Sequence, residues 1–425
     1  MVALISPAIT ALVARVETEL ADSHPDIAAI FAGCFRNSLD TSLQSLPDGT
    51  TFLATGDIPA MWLRDSAAQV RPYAPLATED DTIRGMLRGL IRRTVMYVNL
   101  DPYANAFNVA PNRNGHQSDQ TAMTPWTWER KWELDSLCYP VVLLQDWWEA
   151  TRDASVFDEE VHRMLRLSVD TMRTEQHHAT RSSYRFLRTE HAYPNDNLSH
   201  GGSGAPVRDS GMVWVGFRPS DDACTYNFHV PSNMFAAAVL PGLAVLAEEQ
   251  FGDAQLARDA EQLGNEISTG IEEHAVVDHP GFGRIYAYET NGLGGHVLMD
   301  DANVPSLLSI PYLGYRASDD PTYMATRAFA LSSANPFYFA GTAAAGVGSA
   351  HTPPRHVWPI GLSIQALTAV EAAEAWGLLT TLAATTAGTG LMHESFDVDD
   401  PATFTRPWFG WANSLFAETV VRWLP

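Results

Sequence analysis

The sequence has little cysteine and little positive charge. Its 425 residues include only Cys34, Cys138 and Cys224, which are too few and too far apart for a disulfide framework or a zinc cluster. There are 27 Lys and Arg residues against 50 Asp and Glu, a net charge of −23. Because nucleic acids and anionic membrane surfaces attract clustered cations, neither is an expected partner.

A secretory leader and long apolar runs are also missing. The N-terminal stretch MVALISPAITALVARVETEL has no basic segment followed by a long apolar one, and no run in the sequence approaches membrane-spanning length. Together with the isolated cysteines, these features predict a soluble protein of the cytoplasm.

Motifs that hold metals or phosphates, or that activate a serine nucleophile, are absent too. None of the 14 histidines falls in an HExxH or Cys/His ligand spacing. The glycines of 292–295 follow no predicted strand and precede no lysine, as a phosphate-binding loop would require. No serine elbow is present. These patterns give no indication of a metal or cofactor.

What the sequence does contain is helical periodicity. In 80–98, for example, Ile83, Met86, Leu87 and Leu90 recur at three- and four-residue intervals and predict one apolar helix face. The same pattern predicts further helices over 7–21, 25–43, 65–76, 131–151, 156–176, 231–249, 254–275, 301–314, 320–332, 358–371, 373–387 and 409–423. The alternation typical of strands is found in 181–187, 211–216 and 283–288.

Many helices with almost no sheet predict an all-α fold. No Pro/Gly/Ser-rich linker, composition break or fixed-period repeat divides the chain, so we expect one domain over residues 1–425. Paired helices along a chain of this length fit an (α/α)6 barrel, in which inner and outer helices alternate and one end carries the site. A helical solenoid would show the same periodicity and is the alternative.

The polar stretch TGDIPAMWLRDS, residues 55–66, is the first candidate for ligand binding. It places Asp57, Trp62, Arg64 and Asp65 in a loop that leads into a helix. Carboxylates accept hydrogen bonds from hydroxyl groups, a guanidinium donates in fixed directions, and an indole face stacks on the C–H side of a sugar ring. The combination suits a polyol, and a buried Arg–Asp pair that ties the loop to the helix is the alternative.

Two later loops carry carboxyl groups suited to acid–base chemistry. Asp221 and Asp222 are adjacent in GFRPSDDACTYNF, and two close carboxyls raise the pKa of one of them. Glu394, in LMHESF, lies among aromatic and basic residues. Hydrolysis of a glycosidic bond needs two carboxyls on opposite sides of the anomeric carbon, which these loops could supply. A solvated acidic loop is the alternative in each case.

Other loop residues are expected to contact the same ligand. They are the polar and aromatic side chains of Asn112, Arg113, Gln117, Trp128, Asn233, His351, His393, Arg406 and Trp411.

The chain resembles a known family over nearly its whole length, from about Thr51 to Leu415. It is similar to glycoside hydrolase family 125, the metal-independent exo-α-1,6-mannosidases, in the strings TGDIPAMWLRDSAAQVRPY, KWELDSL, GFRPSDDAC, HVPSNMFA, HTPPRHVWP, HESF and RPWFGWANSLF. The resemblance implies an (α/α)6 barrel without metal or cofactor. It also implies removal, with inversion, of a terminal α-1,6-linked mannose from an oligosaccharide such as an N-glycan or mannan fragment.

The resemblance implies residue roles as well. The general acid falls on Asp221 or Asp222, the general base on Glu394, and the loop of residues 55–66 would hold the departing mannose. Two other functions stay open. One is another sugar enzyme of the same fold, such as an epimerase that uses a His pair, and the other is a non-catalytic mannose-binding protein. The oligomeric state is not predicted.

Overall fold

The computed structural model describes residues 6–190, 193 and 195–424. Over these residues the helices, in chain order, are α1 (Pro7–Leu20), α2 (Pro25–Thr41), α3 (Leu63–Val70), α4 (Asp81–Leu100), α5 (Asp135–Thr151), α6 (Glu159–Glu175), α7 (His178–Arg181), α8 (Ser199–Gly202), α9 (Val230–Phe251), α10 (Ala254–His274), α11 (Pro321–Ala330), α12 (Pro359–Leu367), α13 (Ala372–Ala384) and α14 (Gly410–Trp423). Short 3-10 helices cover Arg71–Thr78 and Ala154–Val156.

Short strands in the connections form small antiparallel sheets. They are β1 (Leu43–Ser45), β2 (Thr51–Leu53), β3 (Met61–Trp62), β4 (Ala106–Phe107), β5 (Thr127–Glu129), β6 (Phe228–His229), β7 (Val276–His279), β8 (Gly283–Tyr286), β9 (Glu289–Thr290), β10 (His296–Val297), β11 (Tyr338–Ala340), β12 (Ala345–Val347), β13 (His356–Val357), β14 (Ser395–Asp397) and β15 (Phe404–Thr405). Two of the sheets, β3–β4–β5 and β13–β14–β15, support the candidate site described below.

The helices alternate between an inner and an outer ring. The inner helices pack side by side in the order α12, α14, α3, α5 and α9. The sixth inner position in chain order is taken by the buried segment 300–310, which is not helical. The outer ring consists of α2, α4, α6, α10, α11 and α13. The predicted (α/α)6 barrel is therefore confirmed, with five inner helices and one irregular inner segment over the described residues.

Position in the rings explains the composition of the helices. Every residue of α3 is buried, and α9 is apolar over most of its surface and largely buried, with exposed positions such as Val245. Among the described residues α9 alone has the length and hydropathy of a membrane-spanning helix, and 78% of that stretch is buried inside the protein. Outer helices such as α6 and α10 are amphipathic and bury one face. One continuous hydrophobic cluster runs from Ile9 to Val420, and the single-domain assignment stays a prediction.

The predicted helix over 301–314 is wrong. The Asp300 carboxylate accepts hydrogen bonds from the backbone N–H groups of Leu307 and Leu308, at 2.8 and 3.0 Å, so a side chain replaces helical carbonyl acceptors. Pro305 and Pro311 supply no backbone N–H. The segment therefore forms turns while it remains buried.

Other boundaries differ in smaller ways. The helix predicted over 65–76 is α-helical only to Val70, because Pro72 and Pro75 interrupt the hydrogen-bond ladder and a 3-10 helix follows. The strands predicted over 181–187 and 211–216 are not formed, because the backbone groups of these segments make isolated hydrogen bonds to loops and side chains and do not pair with a neighbouring strand. The third predicted strand is confirmed over Gly283–Tyr286, which pairs with β7.

Truncation of a side chain between the rings tests this packing. Leu240 on α9 is fully enclosed and faces Gly264 of α10, so Leu240→Ala is expected to lower the free energy of unfolding by roughly 2–5 kcal/mol. Val245→Ala on the same helix removes exposed methyl groups and should change the free energy of unfolding by less than about 1 kcal/mol. Urea unfolding followed by circular dichroism compares the two, and equal losses would contradict the assignment of α9 to the inner ring.

Candidate active site

The inner helices begin at one end of the barrel, around a cavity of about 300 Å³. Residues at the starts of α3, α12 and α14 line it, so the positive ends of these helix dipoles face the cavity. The lining residues are Thr55, Asp57, Ile58, Trp62, Arg64, Asp65, Pro219, Ser220, Asp221, Asn303, His351, Trp358, Glu394, Arg406, Phe409 and Trp411. Aromatic rings and charged groups therefore share one small chamber.

Arg64 lies at the centre of a buried charge cluster and is only 4% exposed. Its Nη1 donates to Glu133 Oε2 at 2.6 Å and to Asp135 Oδ2 at 3.2 Å. Its Nε is 3.5 Å from Asp65 Oδ2, and its Nη2 is 3.9 Å from Asp221 Oδ1. Burial raises the pKa of the Asp65 carboxyl to about 6, although the charge of Arg64 opposes the rise. The guanidinium thus joins the floor of the cavity to the start of α5.

A tight turn separates the two adjacent aspartates. Phe217 and Ala223 form a lone β-bridge, and within it the N–H of Arg218 donates to the carbonyl of Asp222 at 2.8 Å. Asp221 occupies the left-handed region with a φ of +67°, which Asp tolerates better than most residues. Asp221 lines the cavity and Asp222 does not. The turn therefore directs the two carboxyls to different surroundings.

The hairpin β14–β15 places Glu394 opposite Arg406. Ser395 pairs with Thr405 across the hairpin, so Glu394 and Arg406 are the next residues along the two antiparallel strands. Arg406 Nη1 donates to Glu394 Oε1 at 3.4 Å. Strand register thus fixes the position of this carboxyl at the cavity wall.

Arg406 also contacts the loop of residues 55–66. Its Nη2 donates to the carbonyl of Thr55 at 3.2 Å and forms an ion pair with Asp57. A Cβ atom at Gly56 would lie 2.9 Å from the same nitrogen, so the guanidinium packs where only glycine leaves room. One side chain therefore bridges the Glu394 loop and the stretch of residues 55–66.

His351 lies at the rim of the cavity beside both candidate carboxyls. Its Nδ1 is 3.4 Å from Asp222 Oδ1, and its backbone N–H donates to Ser349 Oγ at 3.1 Å. Burial favours the neutral imidazole, but the hydrogen bond to Asp222 and the charges of Asp221 and Glu394 raise the pKa of His351 to about 9. The neighbouring carboxylates therefore favour the protonated imidazole.

Comparison with known proteins places this chain in a family. The profile described as metal-independent alpha-mannosidase (GH125) matches residues 24–421. The chain belongs to the GH125 family. This GH125 protein is therefore a glycoside hydrolase, and the (α/α)6 fold predicted for it is shared by its structural relatives.

Relatives of this GH125 enzyme include a solved structure and a curated protein. An alpha-mannosidase of Streptococcus pneumoniae, in a non-productive complex with α-1,6-mannobiose, is 44% identical with a TM-score of 0.95, and the match covers 98% of each chain. The meiotically up-regulated gene 157 protein of Schizosaccharomyces pombe is 40% identical over 419 residues, 93% of this chain and 82% of that one. A bacterial glucoamylase bound to acarbose, 13% identical with a TM-score of 0.57, covers 95% of this chain and 56% of its own and shares the fold alone.

The cavity of this GH125 enzyme brings together many of the residues predicted for the site. Those that line it are Asp57, Trp62, Arg64, Asp65, Asp221, His351, Glu394, Arg406 and Trp411. Trp62 and Trp411 are almost fully buried, and the Trp62 indole N–H has no hydrogen-bond partner among the described residues. The roles assigned to these residues stay predictions, and their convergence from separate loops is what the structure adds.

Other predicted binding residues do not line the cavity, because their polar groups serve the protein itself. The Asn233 amide donates to the carbonyls of Val213 and His229 at 3.0 and 2.9 Å and is fully buried. The His393 imidazole bonds the carbonyls of Thr386 and Arg406 and stacks on Phe404. These two side chains stabilise loops behind the site.

The loop of residues 105–133 contributes less to the cavity than predicted. The Gln117 amide donates to the carbonyl of Thr127 at 2.7 Å, and Asn112 accepts from the N–H of Asn114. Trp128 packs against the small apolar cluster that contains Trp62. Arg113 is exposed, with a φ of +63°. Asp222, Asn112, Arg113, Gln117 and Trp128 thus lie outside the cavity lining.

The residues that sequence reasoning missed lie beneath the cavity floor. Glu129, Lys131, Glu133 and Asp135 fall within seven positions that end at the first residue of α5, and all four are buried. Alternating charges immediately before an apolar helix were the available signal, because solvated charges have no reason to lead into a buried helix. Among the cavity-lining residues, Asn303, Trp358 and Phe409 were missed as well. Trp358 and Phe409 lie within the strings HTPPRHVWP and RPWFGWANSLF but were not assigned to the site, and no quoted string covers Asn303.

Within residues 6–190, 193 and 195–424, no group of three or more His, Cys, Asp or Glu side chains is arranged to hold a metal ion. The absence of a metal and a cofactor stays a prediction for this chain, in keeping with the description of its family.

Removal of the Asp222 charge tests the environment of His351. Asp222→Asn is expected to lower the pKa of the His351 imidazole from about 9 toward 6.5, because the largest favourable contact of the imidazolium is lost. The measurement is an NMR titration of the histidine rings. Asp209→Asn, which removes the carboxylate beside His177, should leave the His351 titration unchanged. An unchanged His351 midpoint in Asp222→Asn would contradict the assigned contact.

Proposed function

We propose that this GH125 enzyme removes terminal α-1,6-linked mannose from the non-reducing end of oligosaccharides, with inversion of the anomeric configuration. The observation that carries the proposal is the placement of Asp221 and Glu394, from loops far apart in sequence, on one small cavity lined by aromatic rings. The Streptococcus pneumoniae relative, whose complex holds α-1,6-mannobiose, supports the choice of linkage.

The two carboxyls have different tasks in this mechanism. Asp221 donates a proton to the glycosidic oxygen as the bond to the anomeric carbon breaks. Glu394 takes a proton from water, and the water attacks the anomeric carbon from the opposite face. Arg406 holds Glu394 in place through its hydrogen bond. The product is β-mannose because the substitution occurs in a single step.

The walls of the cavity suit a single sugar residue. A volume of about 300 Å³ lies at the lower end of the range for ligand pockets, roughly 300–1,000 Å³. Trp62, Trp358 and Trp411 offer rings for the C–H face of the sugar, and Arg64 with Asp65 offers hydrogen bonds for its hydroxyls. A small chamber of this kind favours removal of one terminal residue over cleavage inside a chain.

The two alternative functions are less well supported. An epimerase would need two histidines at the reacting carbon, and among the described residues His351 is the one histidine that lines the cavity. A non-catalytic mannose-binding protein would not need a carboxyl on a second loop, and the GH125 family consists of hydrolases by its description.

The reaction and its stereochemistry are directly measurable. With α-1,6-mannobiose as substrate, proton NMR at early times should show β-mannose before mutarotation, because water attacks opposite the leaving group. First appearance of α-mannose would contradict inversion, and binding without turnover would contradict the proposed activity.

Matched variants test the assignment of the carboxyls in the same assay. Asp221→Asn and Glu394→Gln should each lower kcat by about 10²-fold or more, since each removes one partner of acid–base catalysis. Asp222→Asn, a neighbour of the same size and charge, should retain most of the activity because its carboxyl does not line the cavity. Equal losses in Asp221→Asn and Asp222→Asn would contradict the choice of Asp221.

We also propose that the protein works in the cytoplasm. The proposal is supported by its three buried, unpaired cysteines, which suit a reducing compartment. Fractionation of the source cells should find the protein with cytoplasmic markers, and recovery in the medium or membrane fraction would contradict this location.

A further inference from the structure

The general acid of an inverting glycosidase must carry a proton when substrate binds. The surroundings of Asp221 work against this requirement. Burial raises the pKa of the Asp221 carboxyl, but the charges of Lys131, Arg64 and His351 together hold it below its usual value. Lys131 Nζ donates to the backbone carbonyl of Asp221 at 2.7 Å. The proton needed for catalysis must therefore be retained with help from another group.

Glu133 is the group placed to retain it. It is fully buried directly before α5, and its Oε2 accepts from Arg64 at 2.6 Å. One amide nitrogen, Asn105 Nδ2, is 3.4 Å from Glu133 Oε1 and 3.4 Å from Asp221 Oδ1. The Arg64 guanidinium also contacts both carboxyls, with Nη1 2.6 Å from Glu133 Oε2 and Nη2 3.9 Å from Asp221 Oδ1, so the two acids lie around the same two donors. Two carboxyls that share one buried site are costly to ionise together, which favours one proton between them.

The charge balance of the cluster points the same way. Carboxyls outnumber cations in the connected network of ion pairs around these two acids, which contains Asp65, Asp119, Glu129, Glu133, Asp135, Asp196, Asp221 and Asp222 against Arg64, Lys131, Arg188 and His351. Burial raises the pKa of Glu133 well above its usual value, although the charge of Arg64 opposes the rise. Burial also raises the pKa of Asp135, whose described side-chain contacts include Arg64 and do not include Asp221.

We propose that Glu133 and Asp221 share one proton and deliver it together. In this pair Glu133 is a positioning residue that keeps Asp221 protonated until substrate binds. The inference rests on the proposed function. In the step, the O–H bond of Glu133 breaks as an O–H bond forms on Asp221, and Asp221 passes a proton to the glycosidic oxygen as the C–O bond breaks. The pair loses one proton and gains one negative charge beside Arg64 and Lys131. Glu394 receives the proton of the attacking water, and exchange with solvent restores both groups.

The test compares two substrates whose leaving groups differ in their need for a proton. α-1,6-Mannobiose requires general-acid assistance, whereas fluoride leaves from α-mannosyl fluoride without it. Glu133→Gln keeps the size of the side chain and can donate to Asp221, but it has no acidic proton. We expect kcat on mannobiose to fall by about 10²-fold, and kcat on the fluoride by less than about threefold. The basic limb of the mannobiose pH profile should move to lower pH, because Asp221 alone loses its proton more readily.

Asp135→Asn is the matched control. It removes a second buried carboxyl from Arg64 without removing the partner of Asp221, so a purely structural effect should slow both substrates by the same factor. Equal slowing of both substrates in Glu133→Gln, or wild-type activity on mannobiose, would overturn the proposal. Should Glu133→Gln fail to fold, Glu133→Asp keeps an acidic proton one CH₂ group farther away, and slowing of mannobiose alone supports the proposal while equal slowing overturns it.

The wild-type enzyme separates failure of this inference from failure of the proposed function. Turnover of both mannose substrates by the wild type establishes the activity before any variant is compared. A wild type that hydrolyses neither substrate would contradict the proposed function itself. A wild type that hydrolyses both, with a Glu133→Gln variant that does not distinguish them, would contradict only the role of Glu133.

Discussion

The burial of Arg64 among carboxyl groups is the constraint on which this site depends. A desolvated guanidinium is costly unless its charge is balanced, and here Asp65, Glu133, Asp135 and Asp221 supply the counter-charges from three different segments of the chain. Removal of Arg64 would leave several buried carboxylates without their counter-charge. These ion pairs consequently hold together the loop of residues 55–66, the cavity floor and the turn that bears Asp221.

The barrel supplies the environment for that cluster. Because the inner helices begin at the same end, their unpaired N–H groups and dipoles favour negative charge where the carboxyls collect. The short sheets beside the cavity then set individual side chains. The β14–β15 register places Glu394 opposite Arg406, and the turn at 217–223 separates Asp221 from Asp222. Coarse placement thus comes from helices and fine placement from strands and turns.

The sequence predicted much of the fold because helix periodicity reports burial directly. Outer helices such as α4 show one apolar face, and the inner helix α9 shows apolar residues throughout. The segment 301–314 has the apolar content of an inner helix and occupies that position, yet Asp300 satisfies its backbone through side-chain hydrogen bonds. Periodicity could not reveal this, because burial and helical conformation are separate properties.

Prediction of the site succeeded where polar residues lie in loops and failed where polar residues are satisfied internally. Asn233 and His393 are as polar as Arg406, but their hydrogen bonds go to backbone carbonyls that only tertiary structure brings close. Glu133 was missed for the opposite reason, since a charged residue beside a helix is usually solvated. Its neighbours in three dimensions, Asn105 and Asp221, are distant in sequence.

The guanidinium of Arg406 has a thermodynamic consequence, because it is shared by Glu394 and by the Thr55–Asp57 loop. Any event that changes the charge on Glu394 changes how strongly Arg406 holds that loop, and any ligand that competes for Asp57 changes the donors left for Glu394. By linkage the two effects are equal in free energy. The ionisation of Glu394 and the binding of a ligand at the Thr55–Asp57 loop are therefore thermodynamically coupled through Arg406.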